Sequence, residues 1–524
     1  MFMDSYHSSN IEPTFNGNSH MSDGAGIHED RKNGYHDTTD DIKYERYIRP
    51  FDLNEAQLLE IMKIFENEMM QGLSKDGHLR KTPLQMENTY VSDLLNGSES
   101  GSYLALDLGG TRFRVHYVQI KDNKITADTV PYPLEQEIIQ GPGEELFRYI
   151  AKCLVSFLED KKLKGICHTL SLGFCFSFPI IQKKLNSGLL LTWTKDFRCS
   201  GVEGNDVVAM LDKALKEQNL DIKISAILND STGTLIAGLL IDPDCCMSVI
   251  IGTGCNVAYL EKIENIGTWE GPVSTKRKYS IIDTECGAFG DNGVIDFLKT
   301  VFDKEVDQYS KHPGSFSFEK LLSGLYLGEL FRVILHHARA NNLIFTGQNI
   351  PHVYSNFSSK KQEITFKKAL GEQRCSIDNR WSLPTKYISA IEDEGNNSND
   401  KIIELLREIN LLSCASEEDM RFIKELCTVL ISRASKLVAS AIAAVLKRMC
   451  RPKTGIAIDG SMYKLMPRLN LLIKYWVSRL YPDSQVNIFL SEDGSGKGAA
   501  LVASIADRLH HEHSLHSHNG DINL

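Results

Sequence analysis

Leu104–Val115 reads LALDLGGTRFRV: an apolar run, a carboxylate, two glycines, a hydroxyl and a cation, then a second apolar run. Glycines let a chain turn tightly and bring its N–H groups close to a ligand. Thr111 and Arg112 add a donor and a positive charge, and Asp107 could hold a metal ion or its waters. The pattern suits one jaw of a phosphate clamp built from Gly109, Gly110, Thr111 and Arg112. Read alone, it also suits an ordinary hairpin with a surface aspartate. Val249–Tyr259, VIIGTGCNVAY, repeats the arrangement around Gly252 and Thr253. Neither turn is a dinucleotide fingerprint, which needs G-x-G-x-x-G and a following helix. GSGKGAA (Gly494–Ala500) falls short of a P-loop, because Gly498 follows Lys497 and Ser491 stands where a glycine is required. It reads as a glycine-rich helix entry, at a hinge or near anions. Two glycine turns facing across a cleft would grip a polyphosphate from both sides.

Between the turns lie LGFCFSFP (172–179), LTWTKDF (191–197) and ILNDSTG (227–233). Asn229-Asp230 ends an apolar run, where open α/β sheets present ligand groups, and a carboxylate there could accept a hydroxyl proton. A helix cap ahead of Ser231-Thr232 is the plainer reading of this pair alone. Thr194-Lys195 offers a donor and a cation beside Trp193, or a surface lysine lying along an apolar wall. Glu285 in DTECGAFG and Glu319 in SFEKLLSG are single acids in apolar or glycine-rich settings. A buried acid needs polar partners; sugar hydroxyls would serve, as would a solvated or capping role.

Such residues need a scaffold that holds them at strand ends. Strand patterns recur at Tyr103–Asp107, Phe113–Gln119, Leu170–Phe176, Ile222–Leu228, Met247–Ile251, Val257–Leu260, Gly455–Asp459 and Val486–Leu490. Helical periodicity covers Asn54–Gly72, Glu144–Leu158, Val207–Leu215 behind an Asn205 cap, and Leu426–Met449, which reads as a buried core helix. The alternation defines an α/β protein. A chain of 524 residues has length for several domains. Residues 1–44 are polar and predict a disordered extension, and 511–524 a disordered His-rich tail. Tyr354–Lys386 reads as an inserted loop. A net charge of -10 without a basic stripe argues against nucleic acid. The 12 cysteines include no Cys-x-x-Cys pair, so free thiols in a cytoplasmic protein are expected. Neither a signal-type apolar region nor a membrane segment is expected, Leu437–Leu446 being too short to span a bilayer.

In order and spacing, LALDLGGTxFRV, GFxFSFP, WTK, LND, GTGCN, ECGAFGD, FEKLLSGLYLGEL, AIDGSMYKL and SEDGSGKGAAL resemble the eukaryotic hexokinase/glucokinase family, over about residues 45–508. The resemblance implies an actin-like ATPase (ribonuclease H-like) fold, two domains closing over a cleft. Residues 96–228 and the helix 494–510 would form the small domain, and 45–95 with 229–493 the large one. Ser177, Phe178, Thr194, Lys195, Asn229, Asp230, Asn256, Glu285 and Glu319 would hold D-glucose or another hexose, with Asp230 as general base and Lys195 offsetting developing charge. ATP phosphates would meet Asp107, Gly109, Gly110, Thr111 and Arg112 on one side and Gly252 and Thr253 on the other, with Gly460 and Ser461 beside the adenosine. Mg²⁺ would be held by phosphates and water, Asp107 reaching it through water. The implied activity is phosphoryl transfer from ATP to the hexose 6-hydroxyl, the first step of glycolysis; a catalytically silent sugar sensor of the same fold is the alternative. The chain departs from the family's usual residues at Arg112 (Asn), Cys175 (Thr), Asp196 (Gly), Asp283 (Asn) and Cys286 (Trp). None of these removes a catalytic group. Cys286 removes bulk beside Glu285, which implies broad hexose specificity.

Overall fold

The computed structural model describes residues 39–76, 82–110, 113–122, 124–271, 278–347, 376–393 and 398–520. Their strands are β1 (Glu87–Asn88), β2 (Gly101–Leu108), β3 (Phe113–Lys121), β4 (Lys124–Tyr132), β5 (Ser171–Phe176), β6 (Ile180–Lys184), β7 (Ser187–Leu190), β8 (Lys223–Leu228), β9 (Cys245–Ile251), β10 (Cys255–Lys262), β11 (Tyr279–Asp283), β12 (Lys453–Asp459) and β13 (Gln485–Leu490). One sheet runs β4-β3-β2-β5-β8 and a second runs β1-β11-β10-β9-β12-β13. In each, hairpins pair antiparallel and later strands add in parallel. Parallel neighbours need a crossover, supplied by Val207–Glu217 before β8 and by Pro467–Leu480 before β13.

Burial explains which strands the sequence announced. β2 and β5 sit mid-sheet and are buried along almost their whole length, so they read as continuous apolar runs. β4 is an edge strand, largely exposed and carrying Pro131, and it gave no apolar signal. The helix Val207–Glu217 is capped by Asp206, whose side chain accepts from Val208 and Ala209 N–H groups, and not by Asn205.

The helix Asp230–Gly238 follows β8 directly and shares one apolar cluster with both sheets: its Leu235 and Ile236 are buried in the same cluster as Ala105 and Leu228 of the first sheet and Ala258 and Ile281 of the second. Ala499–Ala503 of the last helix, Gly494–Gly520, complete that cluster. Here the glycines of GSGKGAA find their purpose. A Cβ on Gly498 would lie 2.1 Å from the Gly233 carbonyl oxygen, and one on Gly173 would lie 2.0 Å from that of Ala499. They permit close backbone packing rather than forming a phosphate loop.

The helix Glu417–Met449 is long and apolar enough to cross a membrane, yet 94% of its most apolar window is buried in the protein. It is a core helix, as its composition predicts. Helix reaches into both terminal segments. A helix runs over Thr39–Ile48, so its first turns fall within the stretch expected to lack order, and Arg46 in its last turn suits the helix dipole. The last helix likewise continues to Gly520 through most of the His-rich tail, extending the buried segment that precedes it. Residues 1–38, 521–524 and most of Tyr354–Lys386 lie outside the described residues.

Candidate active site

Asn229 takes the capping role its sequence allowed and also lines the cavity. Its Oδ1 caps the helix Asp230–Gly238 by accepting from Ser231 N–H at 3.2 Å, while its Nδ2 donates to Glu285 Oε1 at 3.3 Å. The cap fixes Asp230 as the first helical residue, at the end of β8, facing a cavity of about 710 Å³. Asp230 keeps some exposure to that cavity but is enclosed by protein. Burial pushes its pKa upward and Asp107 adds to the rise, opposed by Lys195 and a hydrogen bond from Ser177.

The other carboxyls converge from the second sheet. Glu285 follows β11 in a left-handed turn (φ 50°). Glu319, on the helix Ser317–Leu322, accepts from Cys255 N–H at 3.1 Å. Behind them Asp283 Oδ1 accepts from Asn256 Nδ2 at 2.7 Å and Ser231 Oγ at 3.1 Å, so it orients Asn256. Burial raises Asp283 and Glu319 to about 7, and Glu285 well above the ordinary carboxylate range, with Asp283 and Asp230 adding to the rise at Glu285. Such a wall favours a neutral ligand rich in hydroxyls, which can satisfy each carboxyl and amide without importing charge.

Lys195 stands in the left-handed region (φ 60°) and folds back so that Nζ donates to the Ser177 carbonyl at 2.6 Å and lies 4.9 Å from the centre of the Phe178 ring. That ring is itself buried against Trp193 and Phe197, both at 4.8 Å. Thus Ser177, Phe178, Thr194, Lys195, Asn229, Asp230, Asn256, Glu285 and Glu319 all line the one cavity.

Gly109, Gly110, Gly252, Thr253, Gly460 and Ser461 line the same cavity. The second turn is fixed by Gly252 N–H to Gly254 O at 2.9 Å and by Gly324 N–H to Gly252 O at 2.8 Å. Gly460 (φ 116°) must be glycine, since a Cβ there would lie 2.3 Å from Ile251 O. Thr111 and Arg112 lie outside the described residues. Asp107 is not at the cavity surface. It is 3% exposed, paired with Arg114, and accepts from Ser495 Oγ at 2.9 Å. Arg114 also reaches Asp493 at 2.8 Å.

The pairing of Arg114 with Asp107 follows from the sequence by counting across the turn. A hairpin turning at Gly110-Thr111 sets residue 114 opposite 107, and the register does so. The cavity mouth gave no such signal. Lys311 donates to the Lys195 carbonyl at 2.6 Å and pairs with Asp196, while Trp381 comes from the end of the segment read as an inserted loop.

Family models described as hexokinase match residues 43–240 and 246–505. Human hexokinase-1 is 36% identical over 483 residues, 90% of this chain and 49% of that protein. Rat hexokinase-2 is 37% identical over 475 residues, 89% of this chain and 48% of that one. The chain therefore spans about half the length of the curated relatives it matches. A solved hexokinase from Schistosoma mansoni, complexed with glucose, is 34% identical with a TM-score of 0.79, covering 89% of this chain and 100% of that one. The chain belongs to the hexokinase family, and its fold is the actin-like ATPase fold of that family.

Proposed function

We propose that this chain is a hexokinase that transfers the γ-phosphoryl group of ATP to the 6-hydroxyl of D-glucose and related hexoses, in the first step of glycolysis. The observation that carries the reading is the convergence of Asp230, four amide or carboxyl partners and two glycine turns on a single cavity. Likeness to the glucose-complexed hexokinase supports the choice of sugar.

In-line phosphoryl transfer asks mainly for positioning and charge stabilisation. Asn229, Asn256, Glu285 and Glu319 would hold the ring hydroxyls, with Ser177, Phe178 and Thr194 forming the opposite wall. Asp230 would take the 6-hydroxyl proton, and its raised pKa makes it a stronger base than an exposed aspartate. The Lys195 ammonium would offset negative charge on the transferred group. Gly109, Gly110, Gly252 and Thr253 would receive the phosphates, with Thr111 and Arg112 continuing the first turn. Gly460 and Ser461 would border the adenosine.

The donor set fits a magnesium ion carried by the nucleotide. Among the described residues no group of three or more His, Cys, Asp or Glu could cage a cation. Asp107, buried between Arg114 and Ser495, would reach that ion only through an intervening water. When bound, the ion would neutralise phosphate charge. The described cysteines are all free thiols, which supports a reducing, cytoplasmic setting.

The test is a coupled assay for ADP formation with glucose, mannose, fructose and galactose at fixed ATP and Mg²⁺. Glucose, mannose and fructose should be phosphorylated and galactose poorly. Hexose binding without ADP formation would replace this reading with that of a sugar sensor.

A further inference from the structure

Asp196 stands where the family usually has glycine, and phosphoryl transfer as read above makes no use of its carboxylate. It lies between Trp193 and Phe197, both buried in the cluster that packs on β2, β3 and β5. Its partner comes from the other sheet's side of the cavity. Lys311 follows the helix Val301–Gln308, which is anchored through Asp303 to Arg433 of the core helix Glu417–Met449. That core helix in turn reaches β10, where its Arg448 pairs with Glu261. The Lys311 ammonium pairs with the Asp196 carboxylate and also donates to the Lys195 carbonyl at 2.6 Å. Asp196, Lys195 and Lys311 all line the cavity.

The loop that presents Lys311 is braced on both sides. Asp307, in the last turn of the helix, accepts from Gly314 N–H at 3.0 and 3.1 Å through its two oxygens. Lys320, whose side chain is buried, pairs with Asp307 and donates to the His312 carbonyl at 2.6 Å. Phe316 and Ser317 N–H groups donate to Asp291 at 2.9 and 2.8 Å. Because the backbone under Lys311 is already fixed, less freedom is lost in holding its ammonium at one place.

We propose that Lys311 and Asp196 form a clasp across the mouth of the cavity, and that this clasp strengthens hexose binding by holding the two sides of the mouth together. Its role in hexose binding rests on the cavity being the hexose site. Asp196 and the Lys195 carbonyl belong to one side and Lys311 to the other, so widening the mouth by about an ångström breaks both bonds. A hexose needs the closed arrangement, in which Thr194 and Lys195 face Asn256, Glu285 and Glu319 across the cavity. Apparent affinity scales with the fraction of molecules already in the binding arrangement, and the clasp raises that fraction without touching the sugar. Lys311 and Asp196 are therefore positioning residues. Their side chains are 38% and 60% exposed, and such a pair alone is worth at most about fivefold in an equilibrium constant. With the second bond from the same ammonium, its loss should weaken hexose binding by about three- to tenfold.

Salt supplies a readout that a merely structural role would not move. A hexose carries no charge, so its binding becomes sensitive to salt only through charges that the protein brings together on closing. The experiment compares the full chain with Asp196→Gly, Lys311→Met and the double variant. Glucose affinity is measured by calorimetry from about 20 mM to about 500 mM sodium chloride, over which the Debye length falls from roughly 20 Å to roughly 4 Å. At low salt each single variant should bind glucose about three- to tenfold more weakly, and the double variant no more weakly than Lys311→Met. The unmodified chain should lose affinity as salt rises, and the variants should respond little. In the coupled assay Asp196→Gly should raise KM for glucose without lowering kcat, the mark of lost binding rather than lost chemistry. Single variants within about 1.5-fold of the unmodified chain at low salt, effects that multiply in the double variant, or an unmodified chain indifferent to salt would each overturn the proposal. An unmodified chain that neither binds nor phosphorylates any hexose would instead overturn the functional reading, and the clasp's role in hexose binding with it.

Discussion

Gly110→Ala should disable Lys195 without unfolding the protein. A Cβ at position 110 would lie 2.5 Å from Lys195 Cδ, 3.2 Å from Cγ and 3.3 Å from Cε. Carbon atoms rest about 3.5–4.0 Å apart, so the lysine stem must retreat by roughly 1 Å or more. It cannot do so freely, because Nζ is held 2.6 Å from the Ser177 carbonyl and over the Phe178 ring. Retreat stretches a hydrogen bond from a charged donor, worth about 1.5–3 kcal/mol. An ångström of misplacement at a reacting centre can cost about 10²-fold in rate. We expect kcat/KM for glucose to fall by about 10- to 100-fold in the coupled assay, with the thermal midpoint nearly unchanged because position 110 lies at the cavity surface. Combined with Lys195→Ala, the alanine at 110 should add little further loss, since both act through the same ammonium. A folded Gly110→Ala enzyme with kcat/KM within about twofold of wild type, or full additivity in the double variant, would refute the assignment of Lys195.

Asp230→Asn should lower turnover by about 10² to 10⁴-fold while calorimetry still detects glucose binding; near-normal turnover would remove Asp230 as the base. Burial lifts Asp283 and Glu319 to about 7 and Glu87 to about 8, all above the unfolded carboxylate value. The folded state therefore holds extra protons between the unfolded value and about pH 8, and these groups' contribution to stability declines as pH rises through that window. Denaturant unfolding of the ligand-free protein from pH 5 to 8 should show this decline, and Asp283→Asn should flatten it; an unchanged slope in that variant would contradict the assignment. Arg433 is 1% exposed and donates to Asp303 at 3.0 and 2.9 Å and to the Leu321 carbonyl at 3.2 Å. Arg433→Met strands the Asp303 carboxylate in the core, so chemical denaturation should show a loss of about 3–5 kcal/mol, and a loss below about 1 kcal/mol would mean the pair is dispensable.

By itself the sequence determined the strands that are buried on both faces, the long core helix and nine residues that line one cavity. Apolar runs and periodicity report burial locally, and motif order carried the rest. It also contained the Asp107–Arg114 pairing, because register follows from counting across a short turn. Tertiary structure alone decided what depends on docking distant segments. Ser495 meets Asp107 across 388 positions of sequence, Gly498 seats against Gly233, and Lys311 reaches Asp196 at the cavity mouth. The exposed edge strand β4 was silent because its partner, and not its own hydrophobicity, makes it a strand. The electrostatics of the site belong to the same category. Asp230, Asp283, Glu285 and Glu319 are ordinary carboxylates as sequence, and they become proton-retaining groups only where folding strips their water and sets their charges side by side.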